Sequence, residues 1–144
     1  MCFKKCLMYI IYFFPLLLGG LIYISFRDEN LLLFHWLRKL NVNYSLLRCF
    51  NADHNIIKSY VIYSLPNGLW VLSGILVIGS IWKDKKCNFY LYISILIFIA
   101  LFIETAQKLN IMYGTFDVID IFTIIIFSSI GIIIYIFREN YGKK

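Results

Sequence analysis

Charge is what this chain has least of. Only 15% of its 144 residues are charged, against about 25% in an average soluble domain. Acid is scarcer than base: 8 Asp and Glu stand against 14 Lys and Arg, for a formal charge of +6. Hydrophobic residues make up 61% and the mean hydropathy is +0.78. A soluble globule of this length cannot hide so much apolar surface. These figures exclude a disordered chain, a coiled coil and an ordinary cytoplasmic enzyme.

Chemistry-bearing motifs are also missing. Cys2, Cys6, Cys49 and Cys87 form no C-x-x-C pair, and His35 and His54 are not spaced as zinc partners. No metal triad, activated nucleophile or phosphate loop appears, so neither cofactor nor metal is called for. The basic residues flank apolar runs instead of forming a separate patch. That pattern fits anchoring beside lipid head groups and argues against nucleic acid as a partner.

What is there is a set of long apolar runs. They predict one all-α domain over 1–144, a four-helix transmembrane bundle with spans at about 7–26, 66–82, 88–107 and 117–137. The first run follows Lys4 and Lys5 and has no small-x-small cleavage site, so it is expected to stay as a membrane anchor. Pro15 and Gly19-Gly20 within it mark a kink, a close helix contact, or simply the tolerance of lipid for both residues. The second run opens on Pro66-Asn67-Gly68, where proline suits a first turn. The apolar stretch 56–65 ahead of it is too short to span alone. Trp70 and Trp82 would mark opposite interfaces, and Ser73, Gly74, Gly79 and Ser80 would let a neighbour approach. Asn88 is the expected cap of the third helix, and Arg138 ends the fourth.

Four spans leave both termini on one side. That side carries Lys4, Lys5, Lys83, Lys85, Lys86, Arg138, Lys143 and Lys144. The opposite side holds Arg27, Arg38, Lys39, Arg48, Lys58 and Lys108, mostly in a long loop where charge weighs less. Both termini are therefore expected in the cytoplasm, with the chain in the inner or plasma membrane. Within the long loop, Leu33, Trp36, Leu37 and Leu40 follow helical spacing, with His35, Arg38 and Lys39 off that face. This amphipathic segment between spans one and two would lie in the interface or pack over the other spans.

Polar residues gather between the last two spans. Glu104 and Gln107 are three apart on one helix face, and Asp117 and Asp120 are three apart in the first turn of the next. A helical hairpin would bring the two pairs together at the outer boundary. Their role is open at this stage. Asp117 can cap the fourth helix, Asp120 can sit at the favourable end of its dipole, and Glu104 can pair with Lys108. Alternatively, the cluster binds a head group, a cation or a polar lipid-linked substrate, because acid at membrane depth is costly unless used. Close carboxylates can also divide the roles of acid and base, although no catalytic partner accompanies them.

At these residues the chain resembles the VanZ-like family of small bacterial membrane proteins. Glu104 and Gln107 match its Glu-x-x-Gln, Gly114 its link, Asp120 the acidic start of its last span and Gly131 a small position within that span. Leu65-Pro66-Asn67-Gly68-Leu69-Trp70 sits where family members begin the second span, and the resemblance runs over about 62–137. Thr115 and Ile124 depart from the pattern, standing where arginine and asparagine are usual. The resemblance implies a place in the bacterial cell envelope and an effect on surface lipids or wall precursors, without supplying a reaction. Three kinds of function follow: binding an envelope lipid, wall precursor or membrane-protein partner at the outer face; intramembrane chemistry on lipid head groups; or a small transporter or assembly subunit. No polar stripe runs the length of any span, which argues against a self-contained pore.

Overall fold

A computed structural model of the chain describes residues 2–29, 32–49, 56–83, 85–112 and 116–141. It is all-helical, at 83% helix and without strands among the described residues. A backbone surrounded by apolar side chains must satisfy its own polar groups, and a helix does so within one segment. The order is α1 (Cys2–Phe26), α2 (Leu32–Lys39), a 3-10 turn (Ser45–Leu47), α3 (Ile56–Ser59), a π turn (Tyr60–Ser64), α4 (Leu65–Ile81), α5 (Lys86–Lys108) and α6 (Val118–Tyr141). Three helical runs are long and apolar enough to cross a membrane: Ile57–Ile81, Lys86–Lys108 and Val118–Arg138.

The second of the expected spans begins earlier than its sequence suggests. Residues 56–65 are not a separate short stretch; α3, the π turn and α4 run on without a break. Pro66 has no N–H to donate, which ordinarily breaks a helix or confines proline to its first turn. Here the helix widens just ahead of it, and the Leu65 N–H bonds Tyr60 O, five residues back. A single π turn of this kind changes which side chains face inward and is common at functional sites. It leaves Ser64 and Pro66 both buried.

α4 is the central element. It packs along α6 and α1 and more lightly against α5, while α5 and α6 touch each other. Small residues set the closest crossings. A Cβ added at Gly68 would lie 2.7 Å from Thr123 Cγ2 and 2.6 Å from the Phe127 ring, and one at Gly131 would lie 2.9 Å from Ile75 Cγ2. α4 and α6 can therefore approach as they do only because both positions lack side chains. On the α1 side, Ser73 Oγ donates to Tyr12 O at 2.8 Å, a hydrogen bond between helices in an otherwise apolar contact. Gly19 meets the Trp70 indole, whereas nothing lies near Gly20. Trp70 thus turns toward α1 instead of standing free at an interface.

The core consists of Val71, Ile75, Phe89, Ile93, Ile124 and Tyr135. The Phe89 and Tyr135 rings stack with centroids 3.5 Å apart. Arg138 closes this end of the molecule, donating to the Tyr12 hydroxyl and lying over its ring. Trp82 stacks on Tyr92 near the turn into α5. That helix begins at Lys86 with Lys85 in the capping position, so Asn88 lies inside it and does not cap it.

The connection after α1 is tied down by charged side chains. Arg48 Nη1 donates to Ile24 O at 3.1 Å and to Arg27 O at 2.5 Å, capturing carbonyls that the end of α1 leaves open. Its Nε lies 3.3 Å from Glu29 Oε1. α2 docks through Phe34, which is fully buried against the rings of Tyr23 and Tyr44. The expected face of Leu33, Trp36, Leu37 and Leu40 is divided, with Leu33 and Leu37 half-buried beside Phe34 and the rest exposed. Trp36 (57% exposed) and Leu40 (73%) point outward. Leu46 beyond them is 93% exposed, so the loop presents an apolar surface of its own.

Candidate functional site

The polar groups of the chain meet at one end, where α1 finishes, α4 begins, α5 finishes and α6 begins. Glu104 lies on α5, one turn before its end, and is only 4% exposed. Asp120 lies in the first turn of α6 and is 5% exposed. Asp120 is close enough for its charge to act on Glu104, and the charges of Arg27 and Asp117 reach both acids. Glu104 and Asp120 are therefore brought together, as the hairpin between the last two spans requires.

Their hydrogen bonding is half complete. Asn67 Nδ2, from the first turn of α4, donates to Glu104 Oε1 at 3.5 Å. Ser64, presented by the π turn and buried, faces Asp120. The remaining oxygens, Glu104 Oε2 and Asp120 Oδ1, are buried and have no partner. A buried carboxylate oxygen without a donor costs more than any single neutral hydrogen bond returns. Proteins retain such atoms rarely, and each one calls for an explanation.

The cation of the site is Arg27, the first residue after α1. Its guanidinium lies over the Tyr63 ring at 4.8 Å and the Tyr23 ring at 5.4 Å, and Nη2 donates to Tyr63 O at 3.4 Å. These contacts fix the plane of the group and use its faces. Arg27 Nε is nevertheless buried with no acceptor. Arg27 makes no ion pair with Glu104 or Asp120 within 4.0 Å. Open donor and open acceptors thus sit in the same layer without closing on each other. Trp70 Nε1, three residues after Asn67, is likewise buried and unpartnered.

The other two expected site residues do something else. Asp117 is exposed and accepts the Ile119 N–H at 2.9 Å, so it caps α6 and reaches the inner pair only through its charge. Gln107 is half-buried, and it is its carbonyl that takes part, accepting from Asn110 N–H at 3.0 Å as α5 ends. Asn110 itself adopts φ 55°, a left-handed conformation that asparagine tolerates at a helix end. Lys108 does not pair with Glu104; its ammonium lies over the Phe116 ring at 5.2 Å. Gly114 and Thr115 lie outside the described residues.

Arg27, Ser64 and Asn67 were not singled out from sequence as members of this site. A signal existed for two of them. On the expected four-span topology the end of the first span and the start of the second lie at the same boundary as the hairpin, which would have put Arg27 and Asn67 in that layer. Ser64 is hidden because its inward direction depends on the π turn. No group of three or more His, Cys, Asp or Glu among the described residues could hold a metal ion. Comparison with protein-family models, with curated proteins and with solved structures finds no match.

Proposed function

We propose that the chain is a four-span plasma-membrane protein of the VanZ-like kind, with both termini in the cytoplasm, that binds the polar head group of an envelope lipid at its outer face without transforming it. The observation that carries this is the set of open atoms at one boundary: Glu104 Oε2, Asp120 Oδ1 and Arg27 Nε, all buried and none bonded. A site built only to end two helices would satisfy these atoms or leave them in water. An incoming head group satisfies them where the chain does not.

Three further features support the membrane part of the proposal. The apolar part of α1 runs over Ile10–Phe26, about 26 Å at the helical rise and close to the roughly 30 Å hydrocarbon core. The exposed Trp36, Leu40 and Leu46 lie on the same side as the polar layer and suit a segment resting among head groups. Asp120 begins the last helix, and Gly131 is buried against Ile75 within it, in keeping with the VanZ-like pattern. Ile124, where that pattern has asparagine, belongs to the apolar core.

Binding of labelled membrane lipids to the purified protein tests the proposal. Glu104→Gln and Asp120→Asn should each weaken binding at least about tenfold. Unchanged binding in both variants would refute it.

A further inference from the structure

The open atoms differ in kind, and the difference specifies a ligand. Glu104 Oε2 and Asp120 Oδ1 are acceptors on side chains more than nine-tenths buried, one from α5 and one from α6. Arg27 Nε, from the end of α1, is a donor. A purely anionic head group brings acceptors to Arg27 Nε and leaves Glu104 Oε2 and Asp120 Oδ1 without a donor. A bare cation answers the carboxylates and leaves Arg27 Nε open. A ligand with a hydrogen-bonding cation at one end and an anionic acceptor at the other answers all three atoms at once.

Resting on the head-group reading above, we infer that the site takes a phosphate–primary ammonium zwitterion of the phosphoethanolamine type, its ammonium between Glu104 and Asp120 and its phosphate on Arg27. A primary ammonium carries three N–H donors, enough for both open oxygens. A trimethylammonium carries the same charge and none of those donors. The phosphate accepts from Arg27 Nε in a charge-assisted hydrogen bond. Tyr23 and Tyr63 hold the guanidinium from its faces, and Asn67 holds the other oxygen of Glu104.

The test uses the full chain in detergent micelles, titrated with phosphatidylethanolamine, phosphatidylcholine and phosphatidylglycerol of the same acyl chains, with retained lipid read by native mass spectrometry. Phosphatidylethanolamine should bind at least tenfold more tightly than either of the others. Arg27→Gln should weaken phosphatidylethanolamine and phosphatidylcholine alike, whereas Glu104→Gln should erase the preference between them. Soluble phosphoethanolamine that competes would identify the head group alone as sufficient. Discrimination without such competition would assign the site to the membrane-held form. Both results support the inference. Equal binding of phosphatidylethanolamine and phosphatidylcholine by the unaltered protein overturns it, as does a preference for phosphatidylglycerol. In either case, loss of all lipids in Glu104→Gln and Asp120→Asn would leave the broader head-group reading standing. If those variants bind every lipid normally, both fall.

Discussion

α4, α5 and α6 build two regions by opposite rules. Around Ile75, Phe89 and Tyr135 they interlock: two rings stack, Gly79 admits the Tyr135 ring, and Gly131 admits Ile75. Around Glu104 and Asp120 the same three helices bury acid, and one oxygen of each is left unanswered. The first region is held mainly by packing, which drives helix association where lipid is as apolar as the side chains, and it buries no charged group without a partner among the described residues. The second is not, because burying an unpaired polar atom opposes stability. On the proposed reading, the polar end serves a head group instead of holding the helices together.

Substitutions can break or sharpen this contrast. Phe89→Ala removes a fully buried ring from the interlocked region and should cost about 3–5 kcal/mol, read from thermal or denaturant unfolding in detergent. Gly68→Ala forces a methyl against Thr123 and the Phe127 ring and should cost about 1–3 kcal/mol by the same measurement. Asp117→Ala should cost about 1 kcal/mol through loss of the α6 cap, while lipid binding changes far less than in Glu104→Gln. An Asp117→Ala effect on binding as large as that of Glu104→Gln would move Asp117 from the rim into the site. Ser73→Ala removes one bond between α1 and α4 and should cost about 0.6 kcal/mol. A much larger loss would mean that this one hydrogen bond, more than packing, holds α1 in place.

Much of the architecture was legible because it follows from hydropathy and spacing. Glu104 and Asp120 converge as the hairpin demanded, and Asp117 caps α6 as its position predicts. Elsewhere a local rule failed for an identifiable reason. Pro66 signalled a helix start, but the π turn carries the helix through it, and no periodicity in 56–65 announces a widened turn. Leucine spacing marks the apolar face of α2 without saying whether lipid or protein covers it. The position that docks is Phe34, against the rings of Tyr23 and Tyr44 on either side of α2 in the chain. Glu104 and Lys108 stand at pairing distance along α5, yet Glu104 turns inward and Lys108 finds Phe116 instead. Ser64 entered the polar layer through tertiary geometry that composition does not encode.

Glu104→Gln combined with Asp120→Asn, examined for unfolding temperature and retained lipid on the same preparation, tests the central claim most directly. Removing two buried, incompletely bonded charges while keeping their shape should leave Tm at or above that of the unaltered protein, with the retained lipid gone. A protein that loses several degrees of Tm and keeps its lipid would contradict the account, because its carboxylates would then be part of the scaffold and not of a binding site.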